Sequence, residues 1–125
     1  MKKSISLFLT CSIISFFSYS QDISGVWHGI LEANGTKLRV SFNIVKIEKG
    51  YDSTLDNPDQ NIMGYKVATT TFQDNALVLE IPEVGIHYKG TLNTENVIEG
   101  TYSQAEYIIP LNLAKKVIQK TKTFM

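Results

Sequence analysis

The chain has 125 residues, twelve acidic and twelve basic side chains, and one cysteine. That length is enough for one domain once a leader has been removed. The neutral total hides an asymmetry, because residues 21–114 carry six basic and twelve acidic side chains, a net charge of −6, and residues 115–125 carry +4. An acidic domain argues against a groove for nucleic acid. We interpret the basic tail, 115–125, as a solvated terminus, with contact to a surface as the alternative.

The first twenty residues have the pattern of a bacterial secretory signal peptide. Lys2 and Lys3 precede an apolar run from Ile5 to Phe17, and the small-x-small sequence Ser18-Tyr19-Ser20 follows. We expect cleavage after that sequence, which makes Gln21 the first residue of the mature protein. The alternative is a membrane anchor, but the run is shorter than the roughly 20 apolar residues of a membrane span. The sequence therefore predicts an exported protein, periplasmic or extracellular, without a stable membrane anchor.

The single cysteine, Cys11, lies inside this leader. Leu9-Thr10 precede it and more apolar sequence follows it, so it does not fit a lipidation site. The mature chain is then expected to contain no cysteine. This excludes disulfides, cysteine-based catalysis and cysteine metal sites, and the core has to stabilise the fold alone.

From Gly25 onwards, apolar alternation and turn signals recur about every ten residues, which is typical of an all-β meander. In Gly25–Leu31 the two glycines share a face with Trp27, so we expect this tryptophan to point inward at the floor of a barrel. Asn34-Gly35 is a strong hairpin signal. Lys37–Glu48 is predicted to be the longest strand, and its apolar set changes face at Ile44-Val45, which predicts a bulge there.

The alternation continues beyond Lys49-Gly50, and the polar stretch Asp56–Asn61 is predicted to be a loop. The further predicted strands are Tyr51–Leu55, Tyr65–Phe72, Leu77–Ile81, Ile86–Leu92, Val97–Gln104 and Tyr107–Leu113. With the first two they predict an all-β fold, an eight-stranded antiparallel up-and-down β-barrel within residues 21–114. Pro110 cannot donate to a ladder in mid-strand, so we expect a partly open seam between the last strand and the first.

Motifs for catalysis or metal binding are not found. The sequence has no Gly-x-Ser-x-Gly elbow, phosphate loop or His-Glu-x-x-His helix, so we expect no enzyme. His28 and His87 fall opposite the inward positions of their strands and are expected at the surface. Asp52, Asp56 and Asp59 lack the alternate spacing and the glycine of a calcium loop. No cofactor and no metal site is therefore predicted.

Four aromatic residues are the candidates for ligand binding: Trp27, Phe42, Tyr88 and Tyr102. They would line a cavity if the barrel were hollow. The favoured interpretation is that they fill the interior of a small barrel, and glycines 29, 90 and 100 leave space for either arrangement.

Gly25-Val26-Trp27 resembles the Gly-x-Trp signature of lipocalin-like (calycin) barrels. Over nearly all of the mature chain, the sequence is similar to the small N-terminal β-domain of exported bacterial α/β-hydrolases of the serine aminopeptidase-like type. The matching stretches are Ile23–Gly29, Asp56–Gln60, Tyr88–Leu92 and Ile98–Tyr102. In that family a hydrolase domain carrying the nucleophile, acid and histidine follows, and none of these residues has a counterpart here.

The resemblance therefore implies the fold, export and an accessory role, but not hydrolysis. Two hypotheses follow. The first is a non-catalytic exported accessory or interaction module, or the N-terminal portion of an α/β-hydrolase, with a hydrolase domain as partner. The alternative is a stand-alone lipocalin-like carrier of a small apolar ligand. Neither hypothesis involves nucleic acid.

Overall fold

The computed structural model describes residues 22–115. The predicted signal peptide with Cys11, and the basic tail beyond Lys115, lie outside the described residues. The strands are β1 Gly25–Ala33, β2 Thr36–Ile47, β3 Gly50–Asn57, β4 Ile62–Lys66, β5 Thr69–Gln73, β6 Ala76–Ile81, β7 Ile86–Leu92, β8 Val97–Gln104 and β9 Tyr107–Ala114. Two 3-10 turns, Pro58–Gln60 and Pro82–Val84, follow β3 and β6.

The nine strands form one curled antiparallel sheet, a half-barrel, in the order β4-β3-β2-β1-β9-β8-β7-β6-β5. Side chains alternate between the concave and convex faces, as the pleat of a strand requires. In β7, for example, Ile86, Tyr88, Gly90 and Leu92 are buried and the residues between them are exposed. The predicted all-β antiparallel class is confirmed. Within residues 22–115, no helix is long and apolar enough to cross a membrane.

The strand count is nine rather than the predicted eight, because the predicted strand Tyr65–Phe72 is divided at its centre. The Val67 N–H donates to the carbonyl of Ser53 in β3, and the Ala68 N–H donates to the carbonyl of Glu80 in β6. The chain thus leaves one edge of the sheet and joins the other. Since all neighbouring strands are antiparallel, β4 and β5 run in the same direction, and the chain itself links the two edges.

The predicted bulge at Ile44-Val45 is wrong. β2 pairs with β3 in unbroken register from Ser41 to Ile47, and its ladder with β1 is regular up to its end at Ile44. The apolar set changes face because Val45 and Ile47 lie on the convex face, where they are 48% and 42% exposed. The register shift occurs instead in β3, between Leu55 and Asn57.

The predicted weak seam beside the last strand is present. β9 pairs with β8 from Tyr107 to Ala114, but its ladder with β1 has one registered pair, His28 with Ala114. Pro110, which has no N–H to donate, lies within this strand.

Tyr88 fills the middle of the concave face, and two glycines make room for it. Gly90 and Gly100 are paired across β7 and β8. A Cβ at Gly100 would lie 2.5 Å from the Tyr88 hydroxyl, and one at Gly90 would lie 2.7 Å from it. The hydroxyl donates a 2.8 Å hydrogen bond to the Leu111 carbonyl in β9. Burial raises the pKa of Tyr88 well above its ordinary value, so the side chain is neutral.

Candidate ligand and interaction sites

The four aromatic candidates form a chain through the interior, which we call the aromatic column. Trp27 lies opposite Phe42 across β1 and β2, and Tyr88 lies opposite Tyr102 across β7 and β8. The rings of Phe42 and Tyr88 meet in the middle, with centroids 6.2 Å apart. Both of these residues are 0% exposed. The column therefore occupies the interior, and its two outer members lie in two separate clefts.

The lower cleft, at the end where β1 begins, has a volume of about 360 Å³ and includes Trp27 in its lining. The indole N–H of Trp27 donates a 2.8 Å hydrogen bond to the Ile23 carbonyl. The Lys115 ammonium lies 5.4 Å from the centroid of the indole ring, which is a cation–π distance. Asp22 and Glu95 also contribute to the lining. This cleft thus has an apolar floor and a rim with charges of both signs.

Asp56–Gln60, one of the stretches that carry the resemblance, builds the corner between β3 and β4. The Asp56 carboxylate accepts a 2.7 Å hydrogen bond from the Gly64 N–H. The Asp59 carboxylate accepts three hydrogen bonds from Arg39, one from the backbone N–H at 2.8 Å and two from the guanidinium at 2.7 and 3.1 Å. These bonds lower the pKa of Asp59 to about 2. Both carboxylates therefore hold the corner in place.

The upper cleft, at the end where β1 ends, has a volume of about 100 Å³. Its apolar lining residues are Leu55, Ile62, Tyr65, Val84 and Ile86, and its polar ones are Asn57, Gln60, Tyr102 and Gln104.

Each polar side chain of the upper cleft makes a hydrogen bond, but one buried oxygen among them has no partner. The Tyr102 hydroxyl donates to Gln104 Oε1 at 2.9 Å, and Gln104 Nε2 donates to the Val84 carbonyl at 3.2 Å. Asn57 Nδ2 donates to Gln60 Oε1 at 2.9 Å. Asn57 Oδ1 is buried and has no hydrogen-bond partner among the described residues. The residue as a whole is only 7% exposed.

Sequence reasoning missed Asn57, because Asp-Asn-Pro is first of all a turn signal. Its position in the alternating pattern of the strand could have indicated that Asn57 is buried. Asn57 falls in step with Leu55, the inward apolar residue two positions earlier, and so continues the buried face of β3.

The histidines lie on the convex face, as predicted. His28 Nδ1 is 2.9 Å from the Ser41 hydroxyl on β2, and His87 Nε2 is 3.6 Å from a carboxylate oxygen of Glu80 on β6. Within residues 22–115, no three His, Cys, Asp or Glu side chains are grouped so that they could hold a metal ion.

The convex face of β1 and β2 carries four exposed apolar side chains, which we call the outer strip: Val26, Ile30, Val45 and Ile47. They are between 38% and 48% exposed. Comparison with known proteins gives no match to a family model, a curated protein or a solved structure. The two clefts, the aromatic column and the outer strip are therefore the features from which a function can be inferred.

Proposed function

We propose that the mature chain is an exported, non-catalytic β-barrel module of the calycin, lipocalin-like type, which docks a partner protein. The partner is an α/β-hydrolase domain of the serine aminopeptidase-like type. The observation that carries this proposal is the aromatic column. Phe42 and Tyr88 fill the interior between the two clefts, which leaves no continuous cavity for a long apolar cargo molecule and favours recognition on the outside of the fold.

The outer strip supports docking through the convex face. Exposed apolar side chains that are grouped on one surface are typical of protein interaction sites. Val26 pairs with Asn43 in the β1–β2 ladder, so Val45 is its diagonal neighbour two residues further along β2. Val26, Val45 and Ile47 thus lie near one another at the lower end of the strip, and Ile30 lies beyond His28 on β1. An apolar face of a hydrolase domain would cover the outer strip.

The resemblance supports the choice of partner. Its matching stretches have defined structural roles in this fold: Trp27 closes the lower end, Gly90 and Gly100 accommodate Tyr88, and Asp59 fixes the corner to β2. The chain thus contains the features that would keep an accessory barrel rigid beside a catalytic domain.

The test is direct binding, measured by isothermal titration calorimetry between the mature chain and an exported α/β-hydrolase domain of the serine aminopeptidase-like type. Val45→Lys places a charge in the outer strip, and we expect it to weaken binding at least tenfold, about 1.4 kcal/mol. Ile108→Lys is the matched control, because Ile108 is 73% exposed but lies on β9 outside the strip. Equal binding by both variants would contradict docking through the strip.

The carrier alternative has a separate test, because Trp27 is the only tryptophan of the chain. We expect its emission and the Tm of the protein to be unchanged when dodecanoic acid is added. A saturable change in emission with a matching rise in Tm would show that dodecanoic acid binds the native state. That result would contradict the docking proposal and support the carrier hypothesis.

A further inference from the structure

We propose that the upper cleft binds the head of a small neutral amphiphile that carries a hydroxyl or N–H donor, and that this donor bonds to Asn57 Oδ1. The ligand's apolar part, no larger than an aromatic ring, lies among the apolar side chains of the cleft. The remainder of the molecule extends into solvent. This site goes beyond the proposed docking function, because it involves neither the outer strip nor the lower cleft.

The unpaired oxygen is the first argument. A buried carbonyl oxygen that has lost its hydration without gaining a donor is unfavourable, and native structures seldom leave one. Neighbouring side chains do not relieve it, since Tyr102 and Gln104 donate to other acceptors. A ligand donor that reaches Asn57 Oδ1 removes this unfavourable state, and an apolar ligand of the same shape does not. The cleft should therefore bind a ligand with a donor more tightly than an apolar ligand of the same shape.

The size and lining of the cleft are the second argument. Its volume of about 100 Å³ is close to that of a single aromatic ring with one substituent. Leu55, Ile62 and Ile86 supply apolar walls, and Tyr65 supplies an aromatic one. Apolar walls with a few placed polar groups are the usual composition of a small-molecule site. The surroundings thus favour a ring or short chain with one donor.

Access to the oxygen depends on Gln60. Asn57 Oδ1 is closed to solvent, and Asn57 is held by its own bond to the Gln60 side chain. Gln60 is exposed and lies in the 3-10 turn at the cleft rim. A ligand enters as this side chain moves aside, which breaks the Asn57 Nδ2–Gln60 Oε1 bond unless an oxygen of the ligand accepts from Nδ2 in its place. The rest of the corner stays fixed by Asp59 and Arg39.

The experiment is an NMR titration of the mature chain with three monosubstituted benzenes: phenol, which carries an O–H donor, anisole, which carries an ether oxygen and no donor, and toluene, which carries neither. The amide signals of residues 55–65, 84–86 and 102–104 report the cleft. We expect phenol to shift them with an affinity about tenfold higher than that of anisole or toluene. Equal affinities for phenol and anisole, or shifts that are not localised to these residues, would overturn the proposal.

A variant pair tests the acceptor itself. Asn57→Leu removes the oxygen at similar size, and we expect phenol and anisole then to bind equally. Asn112→Leu, at an exposed position of β9, should keep the preference. A preference that persists in Asn57→Leu would refute the role of this residue. If that variant does not fold, the three-compound series on the unchanged chain still decides. The hydrolase-binding measurement is independent of all these results, so each proposal can fail alone.

Discussion

Truncation of Trp27 at the lower end of the aromatic column tests whether the column stabilises the fold. The side chain is 2% exposed, and its indole N–H is bonded to the Ile23 carbonyl. Replacing a buried tryptophan with alanine costs about 3–5 kcal/mol. A domain of this size has about 5–15 kcal/mol of stability in total. Trp27→Ala should therefore lose a large part of the free energy of unfolding, about 3–5 kcal/mol. Trp27→Phe, which keeps a ring but loses the hydrogen bond, should lose less.

The assay is urea unfolding followed by far-UV circular dichroism, since the variants lack the fluorescent residue. Tyr107→Ala is the matched control, because this aromatic residue is 48% exposed on β9 and its loss should change the free energy of unfolding by less than about 0.5 kcal/mol. A loss below about 1 kcal/mol for Trp27→Ala, at an unchanged slope with urea, would show that the column does not carry the fold.

Three further predictions concern single side chains. Gly100→Ala places a Cβ in steric conflict with the Lys89 carbonyl oxygen and the Tyr88 ring, and it should lower the free energy of unfolding by about 1–3 kcal/mol in the same urea assay. Tyr88→Phe loses the bond to Leu111 and should cost about 0.5–1.5 kcal/mol at neutral pH. The pKa of Tyr88 is raised in the folded state, so its neutral form stabilises the fold at low pH, and this stability is lost as the pH rises above the ordinary pKa of 10.0. Between about pH 8 and pH 11, the Tm of Tyr88→Phe should therefore fall less than the Tm of the wild-type protein. Asp59 has a folded pKa lowered from 3.8 to about 2, so its stabilising effect is present above pH 3.8 and lost as the pH falls towards 2. Asp59→Asn should thus show a smaller difference in Tm between about pH 5 and pH 2, and an unchanged difference would contradict this.

Period-two alternation predicted most of the sheet, because burial on one face is a local property of each strand. The first strand shows it well: Trp27 and Leu31 are buried, and Val26 and Ile30 are largely exposed. Turn chemistry was equally local. Asn34 and Gly35 both adopt positive φ, 53° and 78°, as a tight two-residue hairpin requires.

The features that could not be predicted depend on contacts between distant residues. The break in the fourth predicted strand follows from hydrogen bonds to Ser53 and Glu80, which lie on opposite sides of it. The prediction of a bulge at Ile44-Val45 was wrong because two arrangements give the same sequence pattern. A bulge turns the next apolar residues inward, whereas in a regular strand the same residues simply stay exposed on the outer face. The unpaired oxygen of Asn57 depends on where Gln104 and Tyr102 place their donors, which no local pattern contains.

The aromatic column also limits what the upper cleft can accept. Tyr88 is the cross-strand neighbour of Tyr102, which lines that cleft. It is fixed by its bond to Leu111 and by the close fit against Gly90 and Gly100. A longer apolar ligand would have to displace the Tyr88 ring and leave both its hydroxyl and the Leu111 carbonyl without that bond. A ring-sized head with a donor requires the exposed Gln60 to move and to give up its bond with Asn57 Nδ2, while Asn57 Oδ1 gains a donor. The packing of Tyr88 therefore argues against a carrier of long apolar molecules and favours small ligands with a hydrogen-bond donor in the upper cleft.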